Sequence, residues 1–245
     1  MSRLHYLPLD LPFFSFLVIA LAFLILLLQI RAVRYAYTLI GLSPGASMLV
    51  LLGSLIGSYF NIPVIDLPER QIVSGQFVDF YGMRYAVPVV VDWPGTIVAV
   101  NVGGAVIPGL VSLYLLIRTD LWARGLLAIA CVAFVTHWLA QPVRGVGIAL
   151  PVFVPAIATA ITAIVLDWRQ AAPLAYISGS MGTLIGADLL NLGKIRGLGA
   201  PVASIGGAGT FDGIFLTGIL AVLLASLTTI FQRRAGARGR SAPRN

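Results

Sequence analysis

Charge is what this chain has least of. Lys, Arg, Asp and Glu make up 10% of its 245 residues, against roughly 25% in a soluble domain. A surface so poor in charge cannot be solvated as a globular domain, so that class is excluded. Cysteine is nearly absent too. Cys131 stands alone in an apolar run, which rules out an intramolecular disulfide, a redox pair and a Cys-based zinc site. No GxSxG, HExxH or Cys-His arrangement is present, so the familiar hydrolase and metalloprotease signatures are missing. The stretch GGAGTFDG has no Lys-Ser or Lys-Thr pair, and its Asp212 sits where an anion would dock, so it is no phosphate loop. Neither a cofactor nor a metal is expected.

What fills the chain instead is hydrocarbon. Apolar residues reach 59% and mean hydropathy is +0.97. The useful unit is therefore the membrane span of about 20 apolar residues. The pattern predicts an all-α integral membrane protein with seven spans. They run over Leu11–Ile30, Leu42–Phe60, Thr96–Ile117, Gly125–Ala140, Val146–Leu166, Pro173–Leu192 and Pro201–Phe231. The first is too long for a signal-peptide core and reads as a retained helix. Residues 61–95 lie between the second and third spans. Their β-branched and aromatic runs flank Phe80-Tyr81-Gly82, which predicts a β-hairpin outside the bilayer. Residues 1–231 then form one multi-pass domain, and 232–245 a disordered basic tail.

The net charge of +7 is concentrated in that tail, at Arg233, Arg234, Arg238, Arg240 and Arg244. No basic stripe interleaved with aromatics occurs elsewhere, so the expected partner is lipid rather than nucleic acid. Seven spans put Arg31, Arg34, Arg118, Arg124 and Arg169 on the same side as the tail, ten basic residues against six. The positive-inside rule then places the amino terminus and hairpin outside and the carboxyl terminus in the cytoplasm of a cell-membrane protein.

Span parity also sorts the polar residues. Asn101 begins the third span, His137 ends the fourth, Asp188 and Asn191 end the sixth, and Asp212 lies early in the seventh. All five fall toward one face. Ionisable groups within spans are costly and require a partner or a function. Gly206, Gly207 and Gly209 predict an unwound start to the seventh span, with Thr210 as cap. Gly103, Gly104, Pro108 and Gly109 predict a break in the third. The bland reading is that Asp212 caps a helix, Asp188 meets water, Asn101 satisfies the break, and His137 beside Trp138 lies at the interface.

Three blocks carry a family resemblance: AVNVGGAVIPG at Ala99–Gly109, YISGSMGTLIGADLLNL at Tyr176–Leu192, and APVASIGGAGTFDGIFLTGILAVLLA at Ala200–Ala225. Together they resemble the prokaryotic membrane family known as domain of unknown function sixteen-fourteen. That resemblance implies a multi-pass membrane protein and no particular activity. A looser one connects Asp188 and Asp212, on consecutive spans beside glycines, with the presenilin, signal peptide peptidase and prepilin peptidase plan. Here Thr210 and Phe211 separate Gly209 from Asp212, and neither the Tyr-Asp pair nor the Pro-Ala-Leu motif of those enzymes appears.

Three functions follow as expectations. In an intramembrane peptidase, Asp188 and Asp212 would share a proton and act as catalytic base and acid on a transmembrane peptide. In a cation- or proton-coupled transporter or channel, the same residues would form the ion site with Asn101, His137, Asn191, Gly206, Gly207, Gly209 and Thr210, between two broken helices. NVGGA and SIGGA, locally alike, hint at an internal repeat. In a scaffold, the hairpin would hold a partner and the aspartates would be structural.

Overall fold

The computed structural model describes residues 11–67, 70–80, 83–93, 95–143, 147–151, 153–195, 202–207 and 213–240. A helix α1 (Leu11–Leu39) is followed by α2 (Pro44–Gly57) and strands β1 (Asn61–Leu67), β2 (Arg70–Phe80), β3 (Met83–Trp93) and β4 (Thr96–Asn101). A π-helical turn over Val102–Val106 leads into α3 (Ile107–Thr119), and α4 (Trp122–Leu139) follows. Short strands β5 (Gln141–Val143) and β6 (Gly147–Ala149) pair before α5 (Phe153–Leu166). The sixth apolar segment starts as α6 (Ala171–Ile177) and widens into two π-helical stretches, Ser178–Gly182 and Leu184–Asp188. It closes through a 3-10 turn (Leu189–Asn191) and α7 (Leu192–Ile195). Strand β7 (Val202–Ile205) precedes the last helix, α8 (Gly213–Arg240).

The helix boundaries have local causes. At the end of α1, Gly41 takes a left-handed φ of 91°. The Gly41 N–H donates to the Thr38 carbonyl (3.0 Å) and the Leu42 N–H to that of Tyr37 (3.1 Å), the paired bonds of a Schellman cap. Two residues later the Ser43 hydroxyl accepts from the Ala46 N–H at 3.2 Å. Pro44 takes the first helical position, where its missing N–H costs nothing.

Several expected spans are corrected by this arrangement. The first does not stop at Ile30 but runs on through Arg31 and Arg34 to Leu39. The third and seventh each begin as an extended strand, with helix following from Val102 in the third and from Gly213 in the seventh. The amino end of the fifth lies in the β5–β6 hairpin. The region after Phe231, expected to be a disordered tail, is helical as far as Arg240. The hairpin expected around residues 81–82 is present, with β2 and β3 paired antiparallel from Arg70↔Trp93 to Phe80↔Met83. The sheet flanking it was not expected. In it β4 lies between β1, antiparallel, and β7, parallel.

Among the described residues, three stretches are long and apolar enough to cross a membrane: Val18–Leu39, Val102–Thr119 and Trp122–Leu139. Shorter apolar helices cover Pro44–Gly57, Phe153–Leu166 and Ile214–Leu227. Apolar side chains face outward along them, among them Ile19, Leu49, Leu110, Phe134, Ile161 and Val165. Such a surface supports a membrane location, since water penalises exposed hydrocarbon and lipid does not. The main core lies where α1, α2, α3, α6 and α8 meet, around Tyr37, Leu115, Leu174, Ile177 and Val222. Small residues let these helices close on one another. A Cβ on Gly179 would come within 3.1 Å of the Gly218 Cα.

The two ends of the bundle differ. At one end the α1–α2, α3–α4 and α5–α6 connections meet. Arg118 donates to the Gly41 carbonyl at 2.6 Å, and Arg124 pairs with Asp167. The other end carries the three-stranded sheet. Exposed aromatics mark both: Tyr35, Tyr114, Trp122 and Trp168 toward the arginine end, Tyr59, Phe60 and Trp138 toward the sheet end. Interfacial belts of this kind flank a hydrocarbon layer. Trp122 and Trp138 are about 24 Å apart along α4 at 1.5 Å per residue.

Candidate functional site

The sheet gathers the two broken segments. Strand β4 ends at Asn101 and β7 at Ile205, and their parallel pairing sets Val100 beside Ile205. Each strand runs directly into a glycine pair, Gly103-Gly104 in one case and Gly206-Gly207 in the other. In that register Ser204 lies opposite Ala99 and Ile205 opposite Val100, so the two glycine pairs are offset by two residues from the match of SIGGA to NVGGA.

Asn101 organises the first break. Buried at 1% exposure, it accepts from the Gly104 N–H through Oδ1 (2.8 Å). Its amide donates to the Ser58 carbonyl (2.8 Å) and to Asn61 Oδ1 (3.1 Å). One side chain thereby caps the π-helical turn and ties it to the end of α2 and the start of β1. The same Asn61 oxygen accepts from the Ser204 hydroxyl of β7 at 2.7 Å. Asn61 and Ser204 were not singled out in the sequence. Their roles depend on strand register, which no local signal carries.

Gly206 organises the second break. Its φ is 93°, and Gly207 follows at 84°, the positive values expected of glycines in an unwound segment. The Gly207 N–H reaches the Ser204 carbonyl at 3.3 Å, closing a turn whose third residue, Gly206, needs positive φ. The Gly206 N–H donates to Asp188 Oδ2 at 2.7 Å. This contact joins the end of the sixth segment to the entrance of the seventh.

The two breaks touch through backbone. A Cβ on Gly104 would lie 1.8 Å from the Gly206 carbonyl oxygen, and one on Gly206 would lie 2.7 Å from the Ala105 nitrogen. A Cβ on Gly103 would lie 2.1 Å from the Ser54 carbonyl oxygen. Only glycine fits these positions. Beneath them Val98, Ala105, Leu184, Ile205 and Ile214 form a second small core, so the junction rests on packed hydrocarbon.

Of the other expected site residues, Asn191 is fully buried at the end of the sixth segment. Its amide donates to the carbonyls of Gly186 (3.0 Å) and Ala187 (2.9 Å), satisfying the irregular turn that precedes it. His137 lies on α4, with a buried Nδ1 that has no hydrogen-bond partner among the described residues. Beside it Thr136 packs against the sixth segment. A Cβ on Gly186 would fall 2.0 Å from its hydroxyl. Asp212, Gly209 and Thr210 lie outside the described residues, and the expected Asp188–Asp212 pairing lies outside them as well.

Two strand-to-glycine segments set side by side among helices apolar enough to span a membrane define the class of chain. The chain belongs to the family described as Protein of unknown function (DUF1614), whose model matches residues 55–224. Both breaks, Asp188 and Asp212 fall within the matched range. No curated protein and no solved structure matches the chain.

Proposed function

We propose that the chain is a membrane transport protein whose site for a cation or proton lies at the junction of Asp188, Gly104 and Gly206. The observation that carries this reading is the parallel pairing of two interrupted elements, with the Asp188 carboxylate bonded to one of them at 2.7 Å. Non-helical backbone leading into a helix is a recurring way to bring backbone dipoles and a carboxylate to one point inside a bilayer, as discontinuous helices do in transporters. A bond from N–H to carboxylate is stronger than one to the neutral acid. Protonating or ligating Asp188 would therefore loosen the link between the sixth and seventh segments, coupling occupancy to movement. Further support comes from the hydroxyls of Ser112, Thr159, Thr183 and Thr217, all buried without a hydrogen-bond partner among the described residues. Such groups, on α3, α5, the sixth segment and α8, suit a hydrated or ligand-lined path.

The peptidase reading retains one observation of its own. Strand β7 is an edge of its sheet, a place where an extended peptide adds by backbone pairing. Reconstitution in liposomes separates the two. Transport requires proton or cation flux that Asp188→Asn removes. Peptidase action requires cleavage of a transmembrane peptide that Asp188→Asn and Asp212→Asn each remove. Flux unchanged by Asp188→Asn sinks the transport reading. Cysteines placed at 188 and 212 in a Cys131→Ser background add a geometric test, since a disulfide needs Cα atoms within about 7 Å.

A further inference from the structure

At the arginine end a cavity of about 400 Å³ opens between the α1–α2 turn, the end of α3 and the start of α6. Arg118 and Arg169 both line it, and no carboxylate does. Arg118 is held in place. Its Nη1 donates to the Gly41 carbonyl (2.6 Å) and the Tyr114 hydroxyl (3.1 Å), and Gly41 lies directly beneath the guanidinium. Those bonds occupy Nη1 alone. The donors on Nη2 and Nε have no partner among the described residues, out of the five an arginine carries.

Arg169 is likewise without a carboxylate. The nearby acid, Asp167, is engaged elsewhere. One oxygen pairs with Arg124, and the other accepts from the backbone N–H groups of Arg169 (3.0 Å) and Gln170 (3.2 Å). That arrangement fixes the loop, and among the described residues the Arg169 guanidinium is left the face of Trp168, 5.2 Å away. Two cations thus line one cavity whose described lining residues include no counter-charge.

A second groove, of about 560 Å³, shares Gly41 and Arg118 with the cavity. It runs between α2 and α3 over Ala46, Val50, Leu110 and Val111, and it too has no acid in its lining. Arg118, shared by the cavity and the groove, with Arg169 also lining the cavity and exposed Tyr35, Tyr114 and Trp168 at the same end, gives a cationic pocket continuous with an apolar groove, the polarity of a phospholipid. We infer that this end of the bundle carries a specific site for an anionic phospholipid, its phosphodiester on Arg118 and Arg169 and one acyl chain along Ala46, Val50 and Leu110. The site is separate from the Asp188 junction and does not depend on any activity there.

The test uses the full-length protein in neutral detergent, titrated with phosphatidylglycerol, with phosphatidylcholine of equal chain length, and with inorganic phosphate. Retained lipid is read by native mass spectrometry. Phosphatidylglycerol should bind in preference to phosphatidylcholine, and inorganic phosphate should not displace it. Arg118→Gln with Arg169→Gln should weaken that binding about thirtyfold, from roughly one kcal/mol for each basic group near a lipid headgroup. Arg31→Gln with Arg34→Gln removes the same charge outside the cavity and should leave it within a fewfold. Ala46→Trp, which fills the groove without changing charge, should also weaken it. Equal binding of the two lipids, equal loss in both arginine pairs, or full displacement by inorganic phosphate would each overturn the assignment. If the Arg118/Arg169 variant does not fold, Ala46→Trp alone decides: undiminished phosphatidylglycerol binding there overturns it as well.

Discussion

The Gly206 N–H and the Asp188 carboxylate meet at 2.7 Å, although 18 residues separate them in the chain. This bond spans the connection between the sixth segment and the last helix, at the point where the third segment also presses in through Gly104. It is a structural tie in any reading of function, and its chemistry makes the first prediction.

Removing the acceptor should cost stability whether or not the site is active. Asp188→Ala leaves the Gly206 N–H without this partner, a loss of about 1–3 kcal/mol for a part-buried donor. Asp188→Asn keeps a carbonyl acceptor and should cost less than half as much. The midpoint of unfolding in detergent measures both. If Asn is as damaging as Ala, the ionised carboxylate matters beyond its acceptor role.

The glycine contacts predict a sharper contrast. Gly104→Ala sets a methyl 1.8 Å from the Gly206 oxygen, an overlap only backbone displacement relieves. Overpacking of this kind costs about 3 kcal/mol or prevents folding. Gly45→Ala in α2 meets nothing within 4 Å and should shift stability by no more than about 0.5 kcal/mol. Comparable melting of the two variants would mean that the two breaks are not in backbone contact.

Asn101 and Asn61 should behave as a coupled pair. Asn101→Ala forfeits bonds to Gly104, Ser58 and Asn61 and should cost about 2–4 kcal/mol, summing about one kcal/mol for each. In a double-mutant cycle with Asn61→Ala the two effects should fall short of additivity by more than about 0.5 kcal/mol. Strict additivity would show that the 3.1 Å contact between the two amides contributes nothing.

Orientation is open to a direct measurement. A reporter fused after Asn245 should read cytoplasmic, and one inserted near Gly82 external, because alternation of seven spans would put ten of the sixteen basic residues on the side of the tail. Both reporters on one side would refute the alternation of spans on which that count rests.

Much of this protein was legible in order along the chain. Low charge and long apolar runs exclude a soluble surface, because each is a sum over residues and needs no knowledge of neighbours. The hairpin was legible from its alternating β-branched runs around residues 80–82, and the breaks from glycine pairs, since glycine tolerates φ values other residues avoid. Local pattern misled where a stretch was apolar without being helical. Thr96–Asn101 and Val202–Ile205 have the hydropathy of spans, yet both are strands. A short apolar β-branched run does not itself distinguish the two.

What only the tertiary structure decided is which of these pieces touch. The parallel register of β4 on β7, the shared acceptor on Asn61, the backbone contact of Gly104 with Gly206 and the reach of Gly206 to Asp188 are all between residues distant in sequence. The two guanidiniums at the other end, without a carboxylate among the described residues, arise in the same way, because Asp167 is engaged by Arg124, on another helix. Composition determines which solvent a chain can face, since transfer from water is counted residue by residue. A site depends on register, on the closeness that glycine permits and on which charges are already paired, and those are fixed only when the segments pack.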